Sequence, residues 1–263
     1  MQQRTPLIAP LNFATFLAPI LYQTYESIAR YVGEQLGCST HLHTGQSCAE
    51  FADEVADIGF LCGLQYVHLR NQPTCPVELL VAPVLLGQRY LHQPIYYSDV
   101  IVHTDSSATS FEDLQGCVWA YNEHVSHSGY QVVCAHLRER GTSLHYFGAT
   151  RATGSHLQSL QAVLDGTAHA CAVDSHVLDM LQQEKPEIKM QIRIIEHLGP
   201  STIPPLVIAS RLDEDLKRRI RAVLLSMHKV PHAAKALQKG RIERFVVVRD
   251  EHYNDIRAMF VPV

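Results

Sequence analysis

The stretch of sequence that decides the fold reads Cys117-Val118-Trp119-Ala120-Tyr121-Asn122-Glu123-His124-Val125-Ser126-His127-Ser128-Gly129-Tyr130. Its first five residues predict a buried strand, and the segment from Tyr130 to Arg138 predicts an amphipathic helix. The polar residues between them therefore lie where a strand leads into a helix N-terminus. Backbone N–H groups and the helix dipole favour negative charge at such a place, so hydroxyls there predict an anion-binding site.

Composition sets the size and class of the protein. The chain has 263 residues, of which 46% are hydrophobic, which is enough for two lobes with cores of their own. Its formal net charge is −4, and its longest basic run, Lys217-Arg218-Arg219, stands next to acidic residues. Nucleic-acid binding depends on clustered Lys and Arg, so we expect no nucleic-acid partner and assign this run to a solvated helix face.

The cysteines and the N-terminus bear on the compartment. Seven scattered cysteines without a Cys-x-x-Cys motif do not form the pattern of a disulfide framework. Residues 1–6 lack the features of a signal peptide, and no apolar run has the length of a membrane span. We therefore expect a soluble protein without membrane insertion. It would be periplasmic or membrane-associated if an export signal has been removed, and cytoplasmic otherwise.

Two series of strands and helices follow one another along the chain. The first series includes predicted strands at 7–11, 40–43 and 56–62, and the second includes strands at 117–121, 144–147 and 168–173 and a helix at 156–164. We expect an α/β fold with two lobes, each a mostly parallel sheet flanked by helices, joined by a two-strand hinge. The first lobe is predicted to comprise residues 1–97 and 200–263, and the second lobe residues 98–199.

Six motifs, in order and in register, resemble one protein family. They are Ala56-Asp57-Ile58-Gly59-Phe60-Leu61; Tyr96-x-Ser98-x-Val100-Ile101-Val102; Ser110-x-Glu112-Asp113-Leu114-x-Gly116; Ser126-x-Ser128-Gly129-Tyr130; Tyr146-Phe147; and Gly154-Ser155-His156 running to Asp165-Gly166 and Ala172-Val173-Asp174-Ser175. The chain thereby resembles the phosphate/phosphonate-type substrate-binding proteins of ABC transporters over about residues 7 to 230.

This resemblance implies a fold, a function and a set of site residues. The fold would be the type II periplasmic-binding-protein fold, and the function would be capture of a small phosphate- or phosphonate-like oxyanion in a cleft between the lobes, with an ABC permease as partner. By position, the residues implied to bind the ligand are Ser126, His127, Ser128, His156, Asp174 and Tyr96. The chain departs from the family at His127, where threonine is common.

The chemistry of these residues can be weighed without the resemblance. His156 follows a Gly-Ser turn at a predicted helix start, where it could donate to an anion or simply lie near the cap. Asp174 ends an apolar strand at the edge where α/β sheets bind ligands, and it could also cap the following helix. A carboxylate facing an oxyanion needs a shared proton or a cationic group on the ligand. Tyr96 and Tyr97 point to opposite faces of a strand, so only one of them can face a ligand.

Two loops of the first lobe supply further candidates. Asn12 begins the loop predicted to follow the first strand, and Gln65 lies in the turn predicted to follow the strand at 56–62. Because both loops are expected at the same sheet edge, we predict Asn12 and Gln65 as contacts of the ligand from this lobe.

Other functions are less well supported. His41 with His43, and His124 with His127, are close in sequence, but no third ligand is apparent, so we expect no metal and no cofactor. The motifs typical of serine hydrolases, P-loop proteins, dinucleotide-binding enzymes and zinc proteases are absent. We therefore predict a binding protein without catalytic residues. The alternatives are a cytosolic enzyme of the same fold that acts on a small carboxylate, as in menaquinone biosynthesis, or a ligand-sensing domain.

Overall fold

The computed structural model describes residues 9–260, and the chain forms two compact units within it. The first unit contains the chain up to Pro94 together with Pro204–Asp250, and the second contains Ile95–Ile203 together with the residues from Glu251 onward. The chain passes from one unit to the other three times. The segment that begins at Glu251, which was expected in the first lobe, groups with the second unit.

Strands and helices alternate through most of the chain. The strands are β1 (Leu11–Thr15), β2 (Thr40–Thr44), β3 (Ile58–Phe60), β4 (Val77–Leu85), β5 (Ile95–His103), β6 (Val118–Tyr121), β7 (Ala149–Ala152), β8 (Ala170–Asp174), β9 (Ile192–Thr202), β10 (Leu206–Ala209) and β11 (Ile242–Val246). The α-helices are α1 (Tyr22–Leu36), α2 (Gly63–Arg70), α3 (Val132–Glu139), α4 (His156–Leu164), α5 (Ser175–Glu184), α6 (Ile188–Gln191), α7 (Glu214–Ser226), α8 (Pro231–Lys239) and α9 (Asn254–Met259).

The first unit is built on a six-stranded sheet with the order β11-β4-β10-β3-β1-β2. Strand β1 pairs in parallel with β2 and β3, whereas β10 runs antiparallel to β3 and β4. Helix α1 buries an apolar face and ends at Gly37, whose φ of 71° is the left-handed conformation that glycine adopts without strain.

The second unit is built on a five-stranded sheet with the order β7-β6-β8-β5-β9. Strand β6 pairs in parallel with β7 and β8, and β5 runs antiparallel to β8 and β9. Its core surrounds Trp119, whose ring stacks on Phe147 at a centroid distance of 4.7 Å. The parallel strands β6 and β8 end at the same edge of the sheet, which places the residues after Tyr121 and at Asp174 near one another.

The α/β prediction is confirmed, although both sheets are mixed and not mostly parallel. Strands β5, β9, β10 and β11 pair antiparallel with their neighbours. The apolar residues of a strand do not indicate its direction, so the sequence could not predict this. Within residues 9–260, no helix has both the length and the apolar composition needed to cross a bilayer.

Two local predictions were wrong. The segment at 144–147 is a 3₁₀ turn, Leu144–Tyr146, and the strand beside β6 is instead β7, whose four residues are all exposed. The first described strand is Leu11–Thr15 instead of 7–11; Leu7 and Ile8 lie outside the described residues.

Candidate anion-binding site

The loop after β6 ends in an unusual helix start. Ser126 caps a single π-helical turn, His127–Gln131, which continues directly into α3. The Ser126 hydroxyl accepts from Gly129 N at 3.1 Å, and the Ser126 carbonyl accepts from Gln131 N at 3.1 Å. The N–H groups of His127 and Ser128 belong to the first turn, where a helix offers its N–H groups no internal acceptor. This turn can therefore donate two backbone hydrogen bonds to an anion.

Ser128 and His156 form a buried pair at this turn. Ser128 Oγ lies 3.1 Å from His156 Nε2, and both residues are buried. His156 is the first residue of α4, held there because the Ser155 hydroxyl accepts from Gln158 N. Burial lowers the pKa of His156 to about 4, with the backbone of Ala172 acting in the opposite direction. His156 is therefore a neutral imidazole at pH 7, not a cationic donor.

Asp174 is both a helix cap and a buried carboxyl group. Its Oδ1 accepts from His176 N at 2.7 Å and from Val177 N at 3.3 Å, so it caps α5. Burial raises the pKa of Asp174 to about 7; the two backbone bonds oppose this effect, and nearby Asp99 and Asp179 add to it. Near neutral pH this carboxyl group can hold or release a proton, which no exposed aspartate does.

Ser98 connects the turn to Asp174, although it was not among the predicted site residues. Its hydroxyl donates to the Ser128 carbonyl, and Ser98 pairs across the sheet with Asp174. Cross-strand partners point to the same face, so Ser98 and Asp174 lie side by side below the turn. The sequence could have indicated Ser98, because residues two positions apart on a strand share a face and Tyr96 was already a candidate.

The side chain of His127 is directed into the protein. It is 0% exposed, its Nε2 lies 3.0 Å from Ser201 Oγ, and its ring lies 6.4 Å from that of Tyr96. Burial lowers the pKa of His127 to about 3, so the ring is neutral. Tyr96 is itself only 2% exposed. His127 therefore presents its backbone N–H at the turn, while its ring packs against the end of β9, a role that the sequence did not indicate.

Gly129 allows the turn to pack closely against the preceding loop. A Cβ atom at this position would lie 1.9 Å from Asn122 Oδ1 and 3.2 Å from His156 Cε1. The first contact is far too short and the second is tighter than usual, so any larger residue would have to displace the Asn122 side chain. The glycine of the Ser-x-Ser-Gly motif is explained by this contact and not by a positive φ.

The two candidates from the first unit have local structural roles. Asn12 lies inside β1 and not in a loop after it; its N–H donates to Asp57 Oδ2 at 2.7 Å. Gln65 lies in α2, where its Oε1 accepts from Cys62 N at 3.1 Å and completes a cap. The predicted loop position of Asn12 was wrong because the strand begins four residues later than its apolar pattern suggested.

The second unit therefore brings Ser126, Ser128, His156 and Asp174 to one sheet edge. Its donors are hydroxyls, backbone N–H groups and a neutral imidazole, which suit a small anion. Among the residues that the structure describes, no group of three or more His, Cys, Asp or Glu side chains is arranged to hold a metal ion.

Residues 13–253 match the model of a family described as the periplasmic phosphonate-binding proteins of ABC transporters. The chain belongs to this family. The family consists of binding proteins, so a solute-binding function is established and the enzyme alternative is not favoured.

Solved structures agree on the fold. A binding-protein component of a phosphonate ABC transporter from Pseudomonas aeruginosa superposes with a TM-score of 0.82 at 18% identity, covering 95% of this chain and 85% of that one. PhnD1 from Prochlorococcus marinus, solved with methylphosphonate, gives a TM-score of 0.81 at 15% identity, covering 95% and 96%. A Xanthomonas citri protein solved with chloride gives 0.73 at 17% identity, covering 95% of each chain. At these identities the likeness establishes the fold, which is the expected type II periplasmic-binding-protein fold.

Proposed function

We propose that this protein binds a phosphonate-type oxyanion through the turn of its second unit and serves as the binding component of an ABC transporter. The Ser126 and Ser128 hydroxyls and the N–H groups of His127 and Ser128 would bind the phosphonate oxygens. His156 would orient the Ser128 hydroxyl, and Asp174 would accept a proton from the ligand.

One observation carries this proposal: the buried pair of Ser128 Oγ and His156 Nε2, 3.1 Å apart, at a helix start whose first N–H groups have no internal acceptor. A buried serine hydroxyl with a neutral imidazole could also suggest a nucleophile and its base. Here the family favours binding, and the pair provides directed hydrogen bonds to a tetrahedral anion.

The charge of the site indicates which form of the ligand it prefers. The groups that we assign to the oxyanion are neutral, and Asp174 beside them has a pKa raised to about 7 by burial. A fully ionised phosphonate would repel the Asp174 carboxylate. A phosphonate that retains one proton, or one that carries an ammonium group, would instead share a hydrogen bond with it.

The family description also bears on partner and compartment. It refers to periplasmic components of ABC transporters, and PhnD1 was solved with methylphosphonate. We infer that this chain delivers its ligand to an ABC permease from the periplasmic side. Stimulation of ATP hydrolysis by a reconstituted transporter, dependent on this protein and ligand together, would test the partnership.

Isothermal titration calorimetry tests the binding function directly. Methylphosphonate, 2-aminoethylphosphonate, phosphite, phosphate, sulfate and acetate are the ligands to compare. We expect Ser128→Ala to weaken phosphonate binding about tenfold or more, because a hydrogen bond to a charged group is worth about 1.5–3 kcal/mol. His156→Ala should act in the same direction.

Ser143→Ala and His145→Ala are matched controls, since both residues are exposed in the same unit; Ser143 caps a short 3₁₀ turn and His145 lies in it. They should bind like the wild type. Absence of heat with every oxyanion, or equal affinity in Ser128→Ala and the wild type, would rule out the proposed site.

A further inference from the structure

The ring of His127 links the anion-binding turn to the last residues of β9. His127 Nε2 lies 3.0 Å from Ser201 Oγ, and both residues are almost fully buried. Ser201 pairs with Tyr96 across the sheet, and the Tyr96 ring lies 6.4 Å from the His127 ring. The side chain of the first residue of the turn is thus bound to the end of β9 and packs beside Tyr96.

The residues that receive this contact are themselves fixed by the C-terminal segment. Thr202 N donates to Asp255 Oδ2 at 2.6 Å, and the Thr202 hydroxyl donates to the His252 carbonyl at 2.7 Å. The Tyr253 hydroxyl donates to the carbonyl of Ile203 at 3.1 Å. The residues directly after Ser201 are therefore bound to the C-terminal segment, and the residues before it pair with β5.

The neighbours of Ser201 indicate which nitrogen of the His127 ring carries the proton. The Ser201 hydroxyl can donate to Met259 Sδ, 4.0 Å away, which leaves its oxygen free to accept from His127 Nε2–H. His127 Nδ1 is then a bare acceptor, and it has no hydrogen-bond partner among the described residues. A buried acceptor without a partner is tolerated better than a buried N–H donor in the same situation, so this tautomer is favoured.

We propose that His127 and Ser201 are positioning residues, which hold the His127 and Ser128 N–H groups in place for the ligand by anchoring the π-helical turn to β9. The inference rests on the proposed function of the turn. It assigns the imidazole of His127 a role separate from ligand contact, and it gives the C-terminal segment a role in binding through Ser201.

Four variants test the anchor: His127→Gln, His127→Leu, Ser201→Ala and the double variant His127→Leu/Ser201→Ala. Glutamine can place an amide N–H where Nε2–H lies, so His127→Gln should bind methylphosphonate within about twofold of wild type. His127→Leu and Ser201→Ala each lose one buried hydrogen bond, for which we expect a loss of about fivefold or more. The double variant should bind no more weakly than the weaker single variant, because both remove the same bond.

Amide hydrogen exchange of residues 127–131 in the ligand-free protein provides a readout that does not depend on binding. Exchange should be faster in His127→Leu and Ser201→Ala and unchanged in His127→Gln, relative to amides of β6. A wild type that binds no methylphosphonate but shows this exchange pattern would reject the proposed function and keep the anchor.

The positioning role would be overturned by unchanged exchange at these amides in Ser201→Ala, a variant small enough to fold. Losses of affinity that add in the double variant would also overturn it, as would a failure of His127→Gln to restore binding. If folding stability alone falls while affinity and local exchange stay at wild-type values, His127 is a packing residue only.

Discussion

Replacing Asp174 with asparagine should change how the stability of the protein depends on pH. Asparagine retains an oxygen that can accept from His176 N and Val177 N, so the cap of α5 should survive. What the variant loses is the ability to ionise. Burial raises the pKa of Asp174 from its usual 3.8 to about 7 in the folded protein, so the difference in stability between the two proteins should change with pH only where that group titrates.

The sign and size follow from proton linkage. Between pH 4 and 7 the folded state holds a proton on Asp174 that the unfolded chain has lost. The stability that this group contributes is therefore complete below pH 4 and is lost as the pH rises through 7. The whole displacement is equivalent to about 4 kcal/mol, at about 1.4 kcal/mol per pH unit. Between pH 4.5 and 6.5, the free energy of unfolding of Asp174→Asn should therefore rise relative to that of the wild type by about 1.4 kcal/mol per pH unit.

Histidines produce a trend of opposite sign in both proteins. Burial lowers the pKa of His127 to about 3 and that of His156 to about 4. Their contribution to stability is present above pH 6.5 and is lost as the pH falls through those values. Since the wild type and Asp174→Asn both contain these histidines, the difference between their stability curves reports the contribution of Asp174 alone.

Urea denaturation followed by the fluorescence of Trp119 is the suitable assay. Trp119 is the only tryptophan of the chain and lies in the core of the second unit, so its signal reports on the unit that contains Asp174. The free energy of unfolding would be measured at half-unit steps from pH 4.5 to 7.5.

Asp165→Asn is a matched control in the same unit, because Asp165 is exposed and its Oδ1 accepts from Gln161 Nε2 at 2.7 Å. Its curve should run parallel to that of the wild type. The reasoning is refuted if the Asp174→Asn curve is also parallel to the wild type, whatever the constant offset between them.

Further variants test two other parts of the structure. Gly129→Ala should weaken methylphosphonate binding about tenfold, because overpacking against Asn122 Oδ1 costs about 1–3 kcal/mol. Adding Asn122→Ala to this variant should restore part of the affinity. Calorimetry checks both, and equal affinity in Gly129→Ala and the wild type would contradict the expectation. Lys217→Met should lower the stability of the first unit by about 2 kcal/mol, because the buried ammonium group bonds Glu78, Glu214 and the Ser210 carbonyl. Circular dichroism would register that loss, and a Lys217→Met protein as stable as the wild type would contradict the expectation.

The sequence predicted elements whose signals are local. Helix α4 begins at His156 and ends at Leu164 as predicted, because Ser155 caps it and Asp165-Gly166 ends it. The Ser-x-Ser-Gly turn was identified from its hydroxyls and glycine next to a buried strand. Residue type and spacing within a few positions were sufficient for both.

Other features required contacts between distant parts of the chain. Strand β7 has four exposed residues and no apolar alternation; it is a strand because it pairs with β6, which ends 28 residues before β7 begins. The sequence around Asn12 does not show whether this residue lies inside a strand or after one. Its pairing with β2 places it inside β1. Hydrophobic patterns show which residues are buried but not which strand lies beside them.

The sequence by itself determined the fold class, the family and the position of the turn that we propose to bind an anion, because these depend on local hydrophobic spacing and on short polar motifs. Only the tertiary structure decided what the residues of that turn do. It directed the ring of His127 to Ser201, 74 positions away, and placed Ser98 between Ser128 and Asp174. The same burial that brings these groups together keeps both histidines neutral and Asp174 close to its protonation midpoint at pH 7. The protonation states at the site are thus set by burial, and burial depends on contacts between residues that are far apart in the sequence.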